Sequence, residues 1–248
     1  LVSSSAASDV YKRQPEILDG RVKTLHPKIH AGILNKRVKK SHLKDLKNYD
    51  FENIDLVIVN FYPFENTLNK TTNHNKIIEN IDVGGPTMVR SAAKNYNDVA
   101  VITSSDQYKE LIQELKKYQG STSLHFREKL SRIAFSETAY YDSLISNYLN
   151  NKTNNIFPLK KVFHGNLIEQ LRYGENPHQI SAIYSTRSNT NLKQIQGKQL
   201  SYNNYNDILS ALTISKSLPK NKGTVILKHA TPCGCLLYTS PSPRDSSQ

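Results

Sequence analysis

Cysteine is scarce in this sequence, and long hydrophobic runs are missing from it. The chain has 248 residues and only 2 cysteines, Cys233 and Cys235, which lie together near one end. Two neighbouring cysteines leave no disulfide framework across a fold, so we expect a protein of a reducing compartment, the cytoplasm. No stretch approaches ~20 consecutive apolar residues, so we expect no membrane-spanning helix. No basic segment leads into an apolar one as in a secretory signal.

The sequence also lacks a metal-binding arrangement of cysteine and histidine, and its basic run lacks aromatic residues that could stack on nucleic-acid bases. No cysteine and histidine spacing resembles a zinc site, so we expect no metal. The net charge is +12, and the densest basic run, at 35–48, contains Lys36, Arg37, Lys39, Lys40, Lys44 and Lys47. No aromatic residue interrupts this run, which weakens its interpretation as a nucleic-acid surface and favours a solvated helix face. A basic chain also suits phosphorylated or carboxylated small molecules.

The middle of the chain alternates between strand and helix patterns. Apolar, β-branched runs predict buried parallel strands at 55–60 and 99–103. Amphipathic periodicity predicts helices from Ser105, as the N-cap, to about residue 118 and from 123 to 148. A polar run at 150–155 predicts a linker. Beyond it the patterns predict a strand at 181–184, a helix at 206–218 and a strand at 224–228, and this order favours α/β architecture in both halves.

The two ends differ from this middle. Residues 1–14 and 236–248 are rich in serine and show no sustained periodicity. Both resemble translated adaptor or vector sequence, and an ordinary disordered tail is the alternative. We therefore leave both segments out of the fold prediction.

Three segments of the first half contain residue types suited to anion chemistry. Segment 18–34 surrounds Thr24 with cations that include Arg21 and Lys23, which suits a phosphate or an oxyanion but also an ordinary basic surface loop. Tyr62 follows the first predicted strand, at the edge of a parallel sheet where ligands bind. A packing role for Tyr62 and its aromatic neighbours is equally compatible with the sequence.

The third segment, 80–95, contains a possible acid/base pair. Gly84 and Gly85 predict a flexible turn, and Pro86 suits the first turn of a helix whose exposed N–H groups can bind an anion. Asp82 and Lys94 are the candidate pair. A helix from Pro86 to Lys94 is about 13 Å long, so the two share a site only if the loop folds back or the lysine extends inward. A capped helix with a surface lysine is the simpler alternative.

The second half contributes three further segments. A turn predicted at 171–179 contains Arg172, which suits bidentate phosphate binding, and segment 200–207 is polar and precedes the predicted helix. The strand at 224–228 ends in Lys228 and His229, followed by a predicted Pro/Gly turn. A lysine and a histidine at a strand end suit oxyanion stabilisation and general-base catalysis, although a lone histidine there is more often incidental.

Taken in order, these segments resemble the bifunctional AICAR transformylase/IMP cyclohydrolase family over residues 15–235, where AICAR is aminoimidazole carboxamide ribotide. The matching motifs are DGRVKTLHPKIHAGIL, VNFYPFE, ENIDVGGPTMVRSAAKN, LRYGENPHQ, GKQLSYNN and LKHATPCG. The resemblance implies an α/β fold in which a methylglyoxal-synthase-like parallel-sheet domain, at 15–149 and lacking its N-terminal part, precedes the start of a cytidine-deaminase-like transformylase domain at 150–235. Residues 1–14 and 236–248 would be non-native tails.

The resemblance also implies a reaction and a set of site residues. Such an enzyme of de novo purine biosynthesis formylates AICAR with 10-formyltetrahydrofolate as co-substrate and closes formyl-AICAR to IMP, with no bound cofactor or metal. The implied catalytic residues are Lys23, Thr24, Tyr62, Asp82 and Lys94 for ring closure and Lys228 and His229 for formyl transfer. The implied substrate-binding residues are Arg21, Gly84, Gly85, Arg172, Tyr173 and Asn204. The implied partners are the ribotides, the folate and, for the full-length enzyme, a second copy, with no nucleic acid or membrane.

The family pattern extends beyond both ends of the match, so we expect a fragment. We expect this chain alone to lack formyl transfer and to close the ring weakly or not at all. One alternative is a non-catalytic basic protein that binds nucleic acid. Another is a stand-alone cyclohydrolase with a degenerate tail, against which the Lys228–His229 motif argues.

Overall fold

The computed structural model describes residues 24–186, 192–220 and 223–236. They belong to two compact units, one ending at Phe163 and the other beginning at His164. The predicted tail at 1–14 lies outside the described residues, as does the tail at 236–248 except for Leu236, which ends a strand.

Helices outnumber strands in the described part of the first unit. The elements are α1 Pro27–Leu34, α2 Lys40–Asn48, β1 Leu56–Ile58, α3 Phe64–Lys70, α4 His74–Glu79, α5 Gly84–Lys94, β2 Ala100–Ile102, α6 Tyr108–Lys117 and α7 Leu124–Lys152. Strands β1 and β2 pair in parallel, with Val57 opposite Val101, which confirms the two predicted parallel strands. All three residues of β2 are buried, which explains why its sequence is apolar without alternation.

Helix α7 organises the core of the first unit because its apolar stripe crosses two clusters. Phe126, Leu130 and Ala134 pack against β1, β2, α1 and α5. Further along, Tyr141 and Leu144 join a second cluster with Phe64 and Ile77, residues of α3 and α4. Full burial of one large apolar side chain stabilises a fold by about 1.5–3 kcal/mol, so this stripe is a main source of stability for the unit.

Helix boundaries in the first unit differ from the prediction in two places. The helix predicted from Ser105 begins as a 3₁₀ turn at Ser105–Gln107, and its N-cap is Ser104, because Ser104 and Gln107 form a reciprocal capping box. Helix α7 continues to Lys152, so the first residues of the linker predicted at 150–155 are helical. The two units therefore divide after the end of α7, whereas the predicted domains divide at 149/150, inside this helix.

Two predicted loops are partly helical. The basic segment at 18–34 becomes α1 from Pro27 onward, because His26 acts as an N-cap whose ring accepts a hydrogen bond from the Lys28 N–H. The flexible turn predicted at Gly84 and Gly85 is wrong, since both residues belong to the first turn of α5. The basic run at 35–48 contains the largely exposed helix α2, which agrees with the interpretation as a solvated helix face.

The second unit contains two antiparallel strand pairs and one helix. Its elements are β3 Asn166–Gln170, β4 Ala182–Ser185, α8 Tyr202–Ser215, β5 Thr224–Lys228 and β6 Thr231–Leu236. β3 pairs with β4 and β5 with β6. Helix α8 begins four residues before the predicted start at 206, because Ser201 and Asn204 form a capping box. Within the described ranges, no helix is both long and apolar enough to cross a membrane.

The turn predicted after His229 is also wrong. His229 and Ala230 form the two-residue turn between β5 and β6, whereas Pro232 and Gly234 lie in β6. Both turn residues have positive φ, 52° and 57°. Positive φ at both central positions is the geometry whose twist matches a two-residue hairpin, so the strand pairing overrides the local preference of the Pro/Gly sequence.

Candidate active site at the start of α5

The first turn of α5 is held by the carboxylate of Asp82. Asp82 Oδ1 accepts a hydrogen bond of 2.8 Å from the Gly85 N–H, one of the backbone donors that a helix start leaves unpaired. A Cβ on Gly85 would lie 3.0 Å from Asp82 Cγ and would collide with Oδ2. The absence of a side chain at Gly85 therefore allows the Asp82 carboxylate to lie directly over the helix start.

Thr24 approaches the same turn at Gly84. A Cβ on Gly84 would collide with Oγ1 of Thr24 and lie 3.7 Å from its Cβ. A hydroxyl and a carboxylate thus flank two consecutive glycines at the positive end of the α5 dipole. The structure brings together Thr24, Asp82, Gly84 and Gly85. The predicted site residues Arg21 and Lys23, which precede Thr24 in the sequence, lie outside the described residues.

A histidine of α1 fixes the position of α1 relative to α5. The Ser91 hydroxyl donates to the Thr87 carbonyl at 2.9 Å, so it accepts from Nδ1 of His30 at 3.1 Å. The Nε2 atom of His30 is buried without a hydrogen-bond partner. Burial lowers the pKa of His30, while the nearby Thr24 backbone acts in the opposite direction. The neutral ring thus links the helix that follows Thr24 to the helix that follows Asp82.

Tyr62 lies at the carboxyl end of β1, where the sequence predicted a ligand-facing aromatic residue. Its side chain is 55% exposed, so its phenol is accessible, while the neighbouring Phe61 packs against Tyr141 with ring centroids 5.2 Å apart. The two interpretations of this aromatic segment therefore apply to different residues. Phe61 is a packing residue, and Tyr62 is free to face a ligand.

Lys94 lies at the opposite end of α5 from Asp82. It is the last residue of the helix, about 15 Å along the axis from Gly84 at 1.5 Å per residue, and it is exposed. The structure therefore does not form the direct pair of Asp82 and Lys94. A ligand that engages both residues has to contact them at different points of its own length.

In the second unit, the predicted ribotide-binding residues meet at the start of α8. The Arg172 guanidinium stacks on the Tyr173 ring at 4.8 Å from its centroid, and the Tyr173 carbonyl accepts from the Tyr202 N–H at 3.1 Å. Asn204 Oδ1 accepts from the Ser201 N–H at 3.0 Å in the capping box.

The turn that carries His229 is tied to α8 by Asp207. Oδ1 of Asp207 accepts from the Ala230 N–H at 2.6 Å. Asn204 and Asp207 are three residues apart on α8 and so lie on one helix face. The face that carries Asn204 thus also anchors the turn of His229 and Ala230. Beside that turn is a pocket of about 360 Å³, lined by Leu209, Ser210, Thr213, Ile214 and Ala230.

Sequence reasoning missed three residues that organise these places. His30 was noted only among the basic residues around Thr24, Asp207 only as the end of the polar segment 200–207, and Tyr141 only as part of the apolar stripe of α7. Tyr141 is 5% exposed, and its hydroxyl accepts from the Asp82 N–H at 2.8 Å. Its partner is 59 residues away in sequence, so periodicity gives no signal for this bond. Among the described residues, no cluster of three His, Cys, Asp or Glu side chains is arranged to hold a metal ion.

Comparisons with known proteins match two family models to this chain. The model described as AICARFT/IMPCHase bienzyme matches residues 92–241, and the one described as MGS-like domain matches residues 8–87. The bifunctional purine biosynthesis protein PurH of Bradyrhizobium diazoefficiens is 46% identical over 226 residues, which are 89% of this chain and 43% of that protein. PurH of Prochlorococcus marinus (strain MIT 9515) is 46% identical over 243 residues, 94% of this chain and 46% of that protein.

The chain thus spans less than half the length of these curated relatives. Among solved structures, ForH aligns with 55% of this chain and 71% of its own at 31% identity, with a TM-score of 0.48. The bienzyme model matches more than half of the residues of this chain. The chain belongs to the AICARFT/IMPCHase bienzyme family, with an MGS-like domain preceding the bienzyme match.

Proposed function

We propose that this chain is part of an enzyme of de novo purine biosynthesis that formylates AICAR and closes formyl-AICAR to IMP. The ring closure is assigned to the first unit, at the start of α5. The observation that carries this assignment is the convergence of Thr24 and Asp82 on Gly84 and Gly85. It is supported by membership of a family whose description contains both activities.

Ring closure requires a base and a donor to an oxyanion. The carboxamide nitrogen of formyl-AICAR attacks the formyl carbon, a C–N bond forms, and the nitrogen loses a proton. In our proposal Asp82 accepts that proton, since one carboxylate oxygen is engaged by Gly85 and the other remains available. The formyl oxygen gains negative charge and takes up a proton to become a hydroxyl group. It then leaves as water with a second proton, which the former formamide nitrogen loses as the C=N bond forms and completes the aromatic ring.

The donors to this oxygen are proposed to be Thr24 and Tyr62, together with Lys23. Preorganised hydrogen-bond donors of this kind stabilise a developing oxyanion most where water is excluded. The helix start with Gly84 and Gly85 suits an anionic part of the ribotide, and Arg21 would add a guanidinium. Lys94 is proposed to act on the bound ribotide from the far end of α5, at a different point of the ligand from Asp82.

Formyl transfer is assigned to the second unit. The amine of AICAR attacks the formyl carbon of 10-formyltetrahydrofolate, the bond from that carbon to the folate nitrogen breaks, and the nitrogen takes up a proton as tetrahydrofolate leaves. His229 is proposed to accept the proton of the amine, and Lys228 to stabilise the charge on the formyl oxygen. Arg172, Tyr173 and Asn204 are proposed to hold the ribotide, a role supported by their meeting at the start of α8.

The proposed partners are small molecules and a second copy of the full-length enzyme. The net charge of +12 suits phosphorylated ribotides and an anionic folate without a nucleic acid. We propose a cytoplasmic location, because the two cysteines lie too close together in sequence to cross-link the fold.

A single-turnover assay tests the ring closure, since it detects even slow catalysis. The chain in excess over formyl-AICAR should convert it to IMP faster than buffer does, and Tyr62→Phe should slow this conversion. Tyr184→Phe, a loss of the same hydroxyl from an exposed tyrosine of the second unit, should leave the rate unchanged. An equal slowing of the conversion in Tyr62→Phe and Tyr184→Phe would refute the assignment.

The nucleic-acid alternative makes an opposite set of predictions. A basic non-catalytic binder would bind DNA or RNA with a steep salt dependence, and neither Lys94→Ala nor His229→Ala would matter more than another charge loss. One cation of the basic run, Arg37, is engaged in hydrogen bonds within the fold. Arg37 donates to the Ile54 carbonyl and to Asp55, both at 3.0 Å. This reduces the number of cations available for phosphate contacts.

A further inference from the structure

One buried hydroxyl connects the backbone of the proposed ring-closure site to the core of the first unit. The Tyr141 hydroxyl accepts from the Asp82 N–H at 2.8 Å and donates to the Asn80 carbonyl at 3.3 Å. Both of these backbone groups lie within the four residues that precede α5. A single phenol therefore fixes the segment from which the Asp82 side chain extends.

The ring of the same residue contacts the other segment of the proposed site. Its centroid lies 5.2 Å from that of Phe61, the residue next to Tyr62, and 6.0 Å from that of Phe64. A phenylalanine would fill the same space in this apolar cluster. Placing a hydroxyl there costs desolvation, which only its two backbone hydrogen bonds offset. The hydroxyl therefore has a task that packing does not explain.

Asp82 is thus restrained at two points. Its N–H is bound by Tyr141, and one carboxylate oxygen is bound by the Gly85 N–H at 2.8 Å. With the backbone and one oxygen fixed, the direction of the second carboxylate oxygen is fixed as well. Reaction rates are sensitive to such direction, since a displacement of about 1 Å at a reacting group can cost ~100-fold.

We propose that Tyr141 is a positioning residue of the ring-closure site, in which its hydroxyl sets the orientation of Asp82 and its ring sets the segment that carries Tyr62. This inference rests on the function proposed for that site. Tyr141 does not contact the reacting groups and acts only through Asp82 and Phe61. Burial raises the pKa of the Tyr141 phenol, so the hydroxyl keeps its proton and remains a donor to Asn80 at neutral pH.

The test compares Tyr141→Phe with Tyr140→Phe in the full 248-residue chain. Tyr140 is the adjacent residue on α7, and its hydroxyl donates to Glu65 at 3.2 Å, so the control makes the same chemical change without touching Asp82. Hydrogen exchange of the Asp82 and Gly85 amides is measured by NMR. The Gly85 amide reports on the carboxylate, because it donates to Asp82 Oδ1. Single-turnover conversion of formyl-AICAR to IMP is measured over a range of chain concentrations.

In Tyr141→Phe, both amides should exchange about 10-fold faster, as expected for the loss of about one hydrogen bond of restraint. The saturating rate of IMP formation should fall ~10- to 100-fold, while the half-saturating concentration changes less than ~3-fold, because Asp82 acts on the reaction more than on binding. Tyr140→Phe should leave the exchange of both amides and the rate within ~2-fold of the unaltered chain, because the hydroxyl that it removes bonds to Glu65 and not to Asp82.

Three outcomes would overturn the inference. Faster exchange at Asp82 without faster exchange at Gly85 would mean that Tyr141 holds the backbone but not the carboxylate. An unchanged rate with both amides released would mean a purely structural role, as would an equal loss of rate in the two variants. If the unaltered chain forms no IMP, as expected of a fragment that does not close the ring, exchange at the Gly85 amide alone decides whether Tyr141 orients Asp82.

Discussion

Asp82 has two tasks in this account, and two substitutions separate them. As a cap, its Oδ1 accepts from the Gly85 N–H at the start of α5. As a base, it needs a negative charge. Asp82→Asn keeps an oxygen in the capping position and removes the charge, whereas Asp82→Ala removes both. The two variants should therefore differ in stability and agree in activity.

The structure gives the size of each effect. Asparagine and aspartate cap helices about equally well, so Asp82→Asn should change the free energy of unfolding by less than about 0.5 kcal/mol. Asp82→Ala leaves the Gly85 N–H unpaired and should cost about 1 kcal/mol, within a range of about 0.5–2. For a unit of this size that corresponds to a melting temperature lower by roughly 2–4 °C. Removal of a general base should slow IMP formation ~10²- to 10⁴-fold in both variants.

Thermal unfolding and single-turnover IMP formation, measured on the same samples, test this separation. Stable and inactive Asp82→Asn, together with less stable and inactive Asp82→Ala, would support both tasks. If Asp82→Asn closes the ring at the rate of the unaltered chain, the charge is not needed and Asp82 is not the base. If Asp82→Ala unfolds at the same temperature as the unaltered chain, the carboxylate does not cap α5.

Three further predictions concern the surrounding structure. Gly32→Ala should lower the free energy of unfolding in urea by about 1–3 kcal/mol, because its Cβ would lie 2.6 Å from the Glu52 carbonyl oxygen in a buried contact. His30→Gln should flatten the loss of stability below pH 6.5. Because the pKa of His30 is lowered in the folded chain, the unfolded chain takes up a proton first as the pH falls. The stabilising effect of neutral His30 is therefore present above pH 6.5 and is lost as the pH falls below it. Ala230→Gly should stabilise the second unit by about 1 kcal/mol in thermal unfolding, because it removes a Cβ at a φ of 57°.

These three predictions can each fail in a distinct way. A normal urea midpoint for Gly32→Ala would mean that α1 shifts at little cost. An equal flattening in His125→Gln, which alters an exposed histidine of α7, would mean that the pH dependence does not come from His30. A less stable Ala230→Gly would mean that flexibility of the unfolded chain outweighs the strain at the turn.

The elements predicted best are those whose sequence is dictated by burial on all sides. β2 is apolar throughout because every residue of it is buried, and β5 matches its predicted range because its ends are marked by polar residues. Polar helix starts were harder to predict. The first turn of α8 consists of tyrosine and asparagine, which suit a loop equally well, and only the bond between Ser201 and Asn204 identifies a helix.

Four residues that the sequence analysis named for this site lie together in the structure, Thr24, Asp82, Gly84 and Gly85, but their geometry was not predictable. Motif order identifies Thr24, Asp82 and the two glycines, yet their approach depends on contacts between segments about 60 residues apart. Asp82 and Lys94 were predicted as a pair, on the condition that the loop folds back or the lysine extends inward, and the structure instead places Lys94 at the far end of α5. The bond from the Asp82 N–H to Tyr141 has no local signature, because either tyrosine or phenylalanine fits the apolar stripe of α7.

A ring-closure site at the start of α5 can be tested by titrating the isotope-labelled chain with IMP and following the backbone amides by NMR. We expect saturable shifts that are largest at Thr24, Gly84 and Gly85, since these residues flank the helix start that would receive the ribotide. Asp82→Asn should keep this pattern while slowing ring closure. Shifts confined to the second unit, or spread over the lysines of α2 without saturation, would contradict a ring-closure site at the start of α5.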